Sequence, residues 1–72
     1  MEKIKINTEY IKLSQFLKWI GAAESGALAT TLIKDGRIKV NDTKETRRGR
    51  KLYKGDRVII DDIDEFLVTR EG

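Results

Sequence analysis

Leu32-Ile33-Lys34-Asp35-Gly36-Arg37-Ile38-Lys39-Val40-Asn41 is the stretch in which the chain changes its period. On its upstream side Leu28, Ala29, Leu32 and Ile33 recur at helical spacing and define one buried face. Gly36 stops that helix, and Lys34 places a cation in its last turn, where the helix dipole favours one. Downstream, Arg37-Ile38-Lys39-Val40 alternates with period two, as a half-buried strand does. Asn41-Asp42 then reads as a two-residue hairpin turn, because both residue types tolerate positive φ.

Working outward toward the N-terminus, Ser25 is an N-cap for this helix. The small residues Ala22, Ala23, Gly26 and Ala27 allow close packing around the connection before it. An earlier helix spans Ile11 to Ile20: Leu13, Phe16, Leu17 and Ile20 fall at i, i+3, i+4 and i+7 on one stripe, and Gly21 ends it. Its other face displays Lys12, Gln15, Lys18 and Trp19. Trp19 sits beside the apolar stripe, where it covers the edge of the core; the alternative is an exposed ring that stacks on a base. Lys3-Ile4-Lys5-Ile6 alternates as a strand.

Toward the C-terminus, Thr43 to Thr46 is the return arm of the hairpin, followed by a basic loop, Arg47-Arg48-Gly49-Arg50-Lys51. Tyr53-Lys54-Gly55-Asp56 reads as a turn, and Val58-Ile59-Ile60 as a short buried strand. Phe66-Leu67-Val68-Thr69 is a strand that pairs with Lys3 to Ile6. The order of strand, helix, helix and then several strands predicts an α+β domain, with two helices on a small, largely antiparallel sheet.

Composition narrows the chemistry. The chain of 72 residues has no cysteine and no histidine. Disulfides, thiol nucleophiles, cysteine-ligated metals and histidine-based acid–base pairs are therefore absent from its repertoire. Asp61, Asp62 and Asp64 lack the glycine and terminal glutamate of a calcium loop, so no metal site and no cofactor is expected. The opening residues have no apolar signal region, no stretch is long enough to span a membrane, and the expectation is a cytoplasmic protein. What stands out is the placement of charge. The net +3 of the chain resolves into +2 over residues 1–43, +5 over residues 44–57 and −4 over residues 58–72.

Three pieces together carry a resemblance. They are Lys12-Leu13-Ser14-Gln15-Phe16-Leu17, the helix-to-strand stretch quoted first, and Lys54-Gly55-Asp56-Arg57-Val58. In register, they resemble the RNA-binding domain first seen in ribosomal small-subunit protein four, the S-four domain. Glu45-Thr46-Arg47-Arg48-Gly49-Arg50-Lys51-Leu52 and the N-terminal strand are similar to the stand-alone bacterial branch of that family, the YaaA- and YbcJ-like proteins. The chain departs from that branch at Gly26-Ala27, where the branch has two glycines. It has Thr30 where a lysine is usual, and Asn41-Asp42 where Asn-Gly is usual.

The resemblance implies a two-helix alpha-L RNA-binding motif, with one domain over residues 1–72, a core motif at 11–60 and flanking strands near 3–6 and 65–69. It implies a non-enzymatic, monomeric protein that binds structured ribosomal RNA and assists assembly of the large ribosomal subunit, with no membrane and no small-molecule substrate. The RNA-binding residues it implies are Lys12, Gln15, Lys18, Lys34, Arg37, Lys39, Arg47, Arg48, Arg50 and Lys51, whose lysines and arginines would neutralise phosphates and release counterions. Two competing explanations of the basic loop stand beside this one. The loop pairs within the chain with Asp61, Asp62, Asp64 and Glu65, or it docks on an acidic protein partner.

Overall fold

A computed structural model describes residues 1–71. The elements run β1 (Glu2–Ile6), β2 (Tyr10–Lys12), α1 (Leu13–Trp19), α2 (Gly26–Lys34), β3 (Ile38–Val40), β4 (Thr43–Lys44), β5 (Lys51–Tyr53), β6 (Arg57–Ile60) and β7 (Asp64–Arg70). Five strands form one sheet in the order β1-β7-β6-β3-β4. Its pairings are antiparallel except β1 with β7, which run parallel with Lys3 opposite Leu67 and Ile4 opposite Val68. A parallel neighbour needs a long crossover, and here everything between the two strands supplies it. The strands β2 and β5 form a separate antiparallel pair, with Ile11 opposite Leu52.

Both helices end in the same way, which explains why glycine follows each of them. Gly21 has φ +81°, and the N–H groups of Gly21 and Ala22 donate to the carbonyls of Lys18 and Leu17. Gly36 has φ +74°, and the N–H groups of Gly36 and Arg37 donate to those of Ile33 and Leu32. This double bond pattern satisfies the last helical carbonyls, and its left-handed residue is one a side chain rarely adopts. Ser25 caps α2 as expected, its Oγ accepting from the Leu28 N–H at 3.2 Å. Asn41 and Asp42, at φ +52° and +69°, make the tight turn between β3 and β4.

The core lies between the helices and the main sheet. Leu13, Phe16 and Leu17 from α1 and Ile33 from α2 are fully buried with Ile38, Val40, Leu52, Val58 and Val68. Phe16 meets Phe66 edge-on, with ring centroids 6.2 Å apart.

Five expectations need correction. The first helix begins at Leu13 and not at Ile11, because Lys12 is extended (ψ 146°) and Tyr10–Lys12 pairs with β5. That pairing also makes Lys51 the first residue of a strand instead of the last of a loop. On α2, Leu28 is half exposed while Ala29 and Ile33 are buried and Leu32 packs at the core margin. A helix turns about 100° per residue, so the side centred on Ala29 and Ile33 leaves Leu28 at its flank. Trp19 is 66% exposed and does not cover the core edge. Of the four small residues near the connection, only Ala23 is buried.

The contrast along α1 is measurable by urea unfolding. Leu17→Ala is expected to cost about 2–5 kcal/mol, whereas Trp19→Ala is expected to cost less than about 1 kcal/mol. Equal losses would contradict the exposed placement of the tryptophan.

Candidate nucleic-acid interface

The basic loop is built around one buried carboxylate. Glu45 is the only buried charged residue among the described residues, at 6% exposure. It accepts from Arg47 Nε and Nη2, both at 3.0 Å, from the Arg47 backbone N–H at 3.0 Å, and from Arg50 Nη1 at 2.6 Å. A bidentate Arg–carboxylate fork is among the stronger charge-assisted arrangements. The side-chain bonds from Arg47, followed by those from Arg50, hold the Glu45 carboxyl down at about 2, against the opposing effect of burial.

The loop so folded delivers its backbone to α1. Leu13 N–H donates to the Arg50 carbonyl at 2.8 Å, and Ser14 N–H donates to the Arg48 carbonyl at 3.2 Å. No side chain caps α1, so these carbonyls satisfy donors that would otherwise be orphaned. The same bonds set Arg48 beside the start of α1. There Lys12, Ser14, Gly26, Ala27, Thr30, Arg48 and Gly49 line an open groove of about 630 Å³. Its cations are Lys12 and Arg48, both exposed, and neither has an ion-pair partner among the described residues. Thr30 returns its hydroxyl to the Gly26 carbonyl at 2.9 Å and contributes no charge.

The other candidates lie outside this groove. Gln15 and Lys18 line a second groove of about 780 Å³ on the other side of Lys12. The Lys51 ammonium lies 4.8 Å from the centroid of the Tyr10 ring. Arg47 is tied to Glu45, yet its side chain remains 73% exposed. Lys34 is exposed in the last turn of α2.

Arg37 and Lys39 are not brought to the Lys12–Arg48 groove. Arg37 forks onto Asp61 with both contacts at 2.7 Å, and this bond lowers the Asp61 carboxyl. It lines a third groove with Ile20, Gly21 and Leu32, at the C-terminal ends of the helices. Lys39 meets Asp62 at 2.6 Å, which raises the lysine. Arg57 bridges Glu65 at 3.0 Å and Asp42. The acidic segment thus neutralises Arg37, Lys39 and Arg57, while the loop arginines find their carboxylate in Glu45. The competing idea that the loop pairs with Asp61, Asp62, Asp64 or Glu65 is not what the ion pairs show among the described residues.

Two features are not announced by the sequence. Glu45 stands there only as an acidic residue two positions before an arginine run, a pattern that does not imply burial. The tilted contact of Tyr10 with Tyr53, with centroids 5.9 Å apart, depends on the β2–β5 pairing, which helical periodicity conceals.

The geometry can be set beside known proteins. A family model described as the S4 domain matches residues 4–69. The chain is 45% identical over 66 residues to the probable ribosome maturation protein RlbA of Bacillus subtilis (strain 168), an alignment covering 92% of this chain and 93% of that protein.

Glu45 has a pH signature. Its folded pKa lies below the ordinary value of 4.5, so its stabilisation is complete above about pH 4.5 and is lost as pH falls toward about 2. Glu45→Gln is expected to lower stability at neutral pH by about 2–3 kcal/mol, reduced from the full linkage value because Arg47 is solvated. The difference between wild type and variant should close as pH falls through that window in denaturant titrations. A gap that stays constant to pH 2 would contradict the role given to this carboxylate.

Proposed function

This chain belongs to the S4 domain family, and from that premise we propose that it is a non-enzymatic RNA-binding protein. It acts in ribosome maturation by seating the Lys12–Arg48 groove on the backbone of structured ribosomal RNA of the large subunit. The observation that carries the reading is the sorting of cations. Arg37, Lys39 and Arg57 are neutralised by carboxylates, while Lys12 and Arg48 face an open groove without an ion-pair partner among the described residues.

Folded RNA is recognised largely by shape, phosphates and 2′-hydroxyls, which a rigid basic groove contacts without base-reading side chains. Rigidity comes from below the groove, where the loop backbone bonds to α1 and Glu45 fastens the flanking arginines. Lys18, Lys34, Lys51 and the exposed guanidinium of Arg47 widen the positive field around it. Arg37 and Lys39 take the smaller share, since binding there must first compete with Asp61 and Asp62. The similarity to a probable ribosome maturation protein along almost the whole of both chains supports the choice of ribosomal RNA. No helix among the described residues is long and apolar enough to cross a membrane.

The test is a salt titration of binding to a ribosomal RNA fragment. Lys12→Glu combined with Arg48→Glu leaves every ion pair of Glu45 in place. It is expected to weaken binding at least about tenfold and to make the log–log salt slope shallower by about one for each phosphate no longer neutralised. Arg37→Gln is expected to have the smaller effect. An unchanged slope in the double variant, or a cellular complex that survives RNase, would contradict the proposal and favour an acidic protein partner.

A further inference from the structure

The second groove differs from the first in chemistry. It lies between the β1–β2 connection and α1, and its apolar surface comes chiefly from Ile6, Tyr10, Ile11 and Trp19. Trp19 is 66% exposed, although burying a ring of that size is among the largest single gains available to a small core. Tyr10, also in the lining, is half-buried, with Tyr53 and the Lys51 ammonium against its ring. Lys12 and Lys18 stand on the groove as cations, against one carboxylate, Glu9.

We infer that this groove takes an unpaired nucleotide of the bound RNA, its base stacked on Trp19 and its phosphates beside Lys12 and Lys18. The inference rests on the RNA-binding reading above. Two observations select this occupant. Lys12 lines both grooves, so a strand leaving a duplex seated at Arg48 passes directly into the aromatic one. Exposed aromatic rings interleaved with lysines form the surface on which single-stranded nucleic acid stacks, because every base offers a π-face and every linkage a negative charge. Gln15 and Trp19, at i and i+4, share one side of α1, and Lys12 stands at its N-cap. Gln15 thereby offers an amide donor and acceptor between cation and ring.

Trp19 is the only tryptophan in the chain, so its fluorescence reports on the groove directly. The probes are a blunt RNA duplex and the same duplex extended by about five unpaired adenosines. The extension is expected to tighten wild-type binding by about 5- to 100-fold and to quench Trp19 emission. In Trp19→Ala the blunt duplex should bind as in wild type while the gain from the extension disappears, and Trp19→Phe should recover part of it. The inference is overturned if wild type binds both RNAs equally, if the extension leaves Trp19 emission unchanged, or if Trp19→Ala keeps the gain. Failure of wild type to bind either RNA would instead overturn the RNA-binding premise, and this inference with it.

Discussion

Glu45 is a charged side chain placed where charge is costly, and the surrounding structure is arranged to make that placement favourable. Its two oxygens are occupied by two guanidinium groups and a backbone N–H. The consequence reaches beyond the pair. A run of Arg47, Arg48 and Arg50 would repel itself into an extended loop; fastened from beneath by Glu45, it closes over the start of α1 and turns its carbonyls toward the helix. The first turn of α1 then needs no capping side chain, and Lys12 is left at the surface with Arg48 beside it. The positive groove is in this sense built on a negative charge.

The two halves of the charge pattern have separate partners. The acidic segment after β6 is committed to Arg37, Lys39 and Arg57 on the main sheet and its turns. The basic loop is committed to Glu45 and to α1. Because Arg57 is the one cation of the +5 stretch that pairs with the acidic segment among the described residues, positive potential persists where the helices begin, instead of cancelling across the molecule. Such a field draws a polyanion over a Debye length of about 8 Å at physiological salt. The paired arginines contribute less to it than their number suggests, which is why a count of basic residues overstates the site.

Much of the fold is legible in the sequence. Gly21 and Gly36 mark both helix ends, Ser25 marks a start, and Asn41-Asp42 marks a turn, because each of these residues is tied to a backbone geometry of its own. The start of α1 is not legible, because Ile11 extends the apolar period of the helix while its backbone pairs with Leu52, a distant partner that local pattern does not encode. For the site, residue type points to Lys12 and Arg48 but does not separate them from Arg37 and Lys39. That separation is made by Asp61 and Asp62, which the turn after β6 brings onto those two cations. The exposure of Trp19 is hidden for a related reason: a helix of seven residues presents too narrow an apolar face to bury another large ring beside Leu13, Phe16 and Leu17.

The claim at the centre is that RNA lies across the beginning of α1 and the arginine loop. Ultraviolet crosslinking of the protein to bound ribosomal RNA, with the adducts located by mass spectrometry, addresses it directly. Adducts confined to the segments around residues 12–19 and 47–51 are the expected result. Adducts concentrated around residues 37–39 and 61–62, with none on the arginine loop, would contradict it.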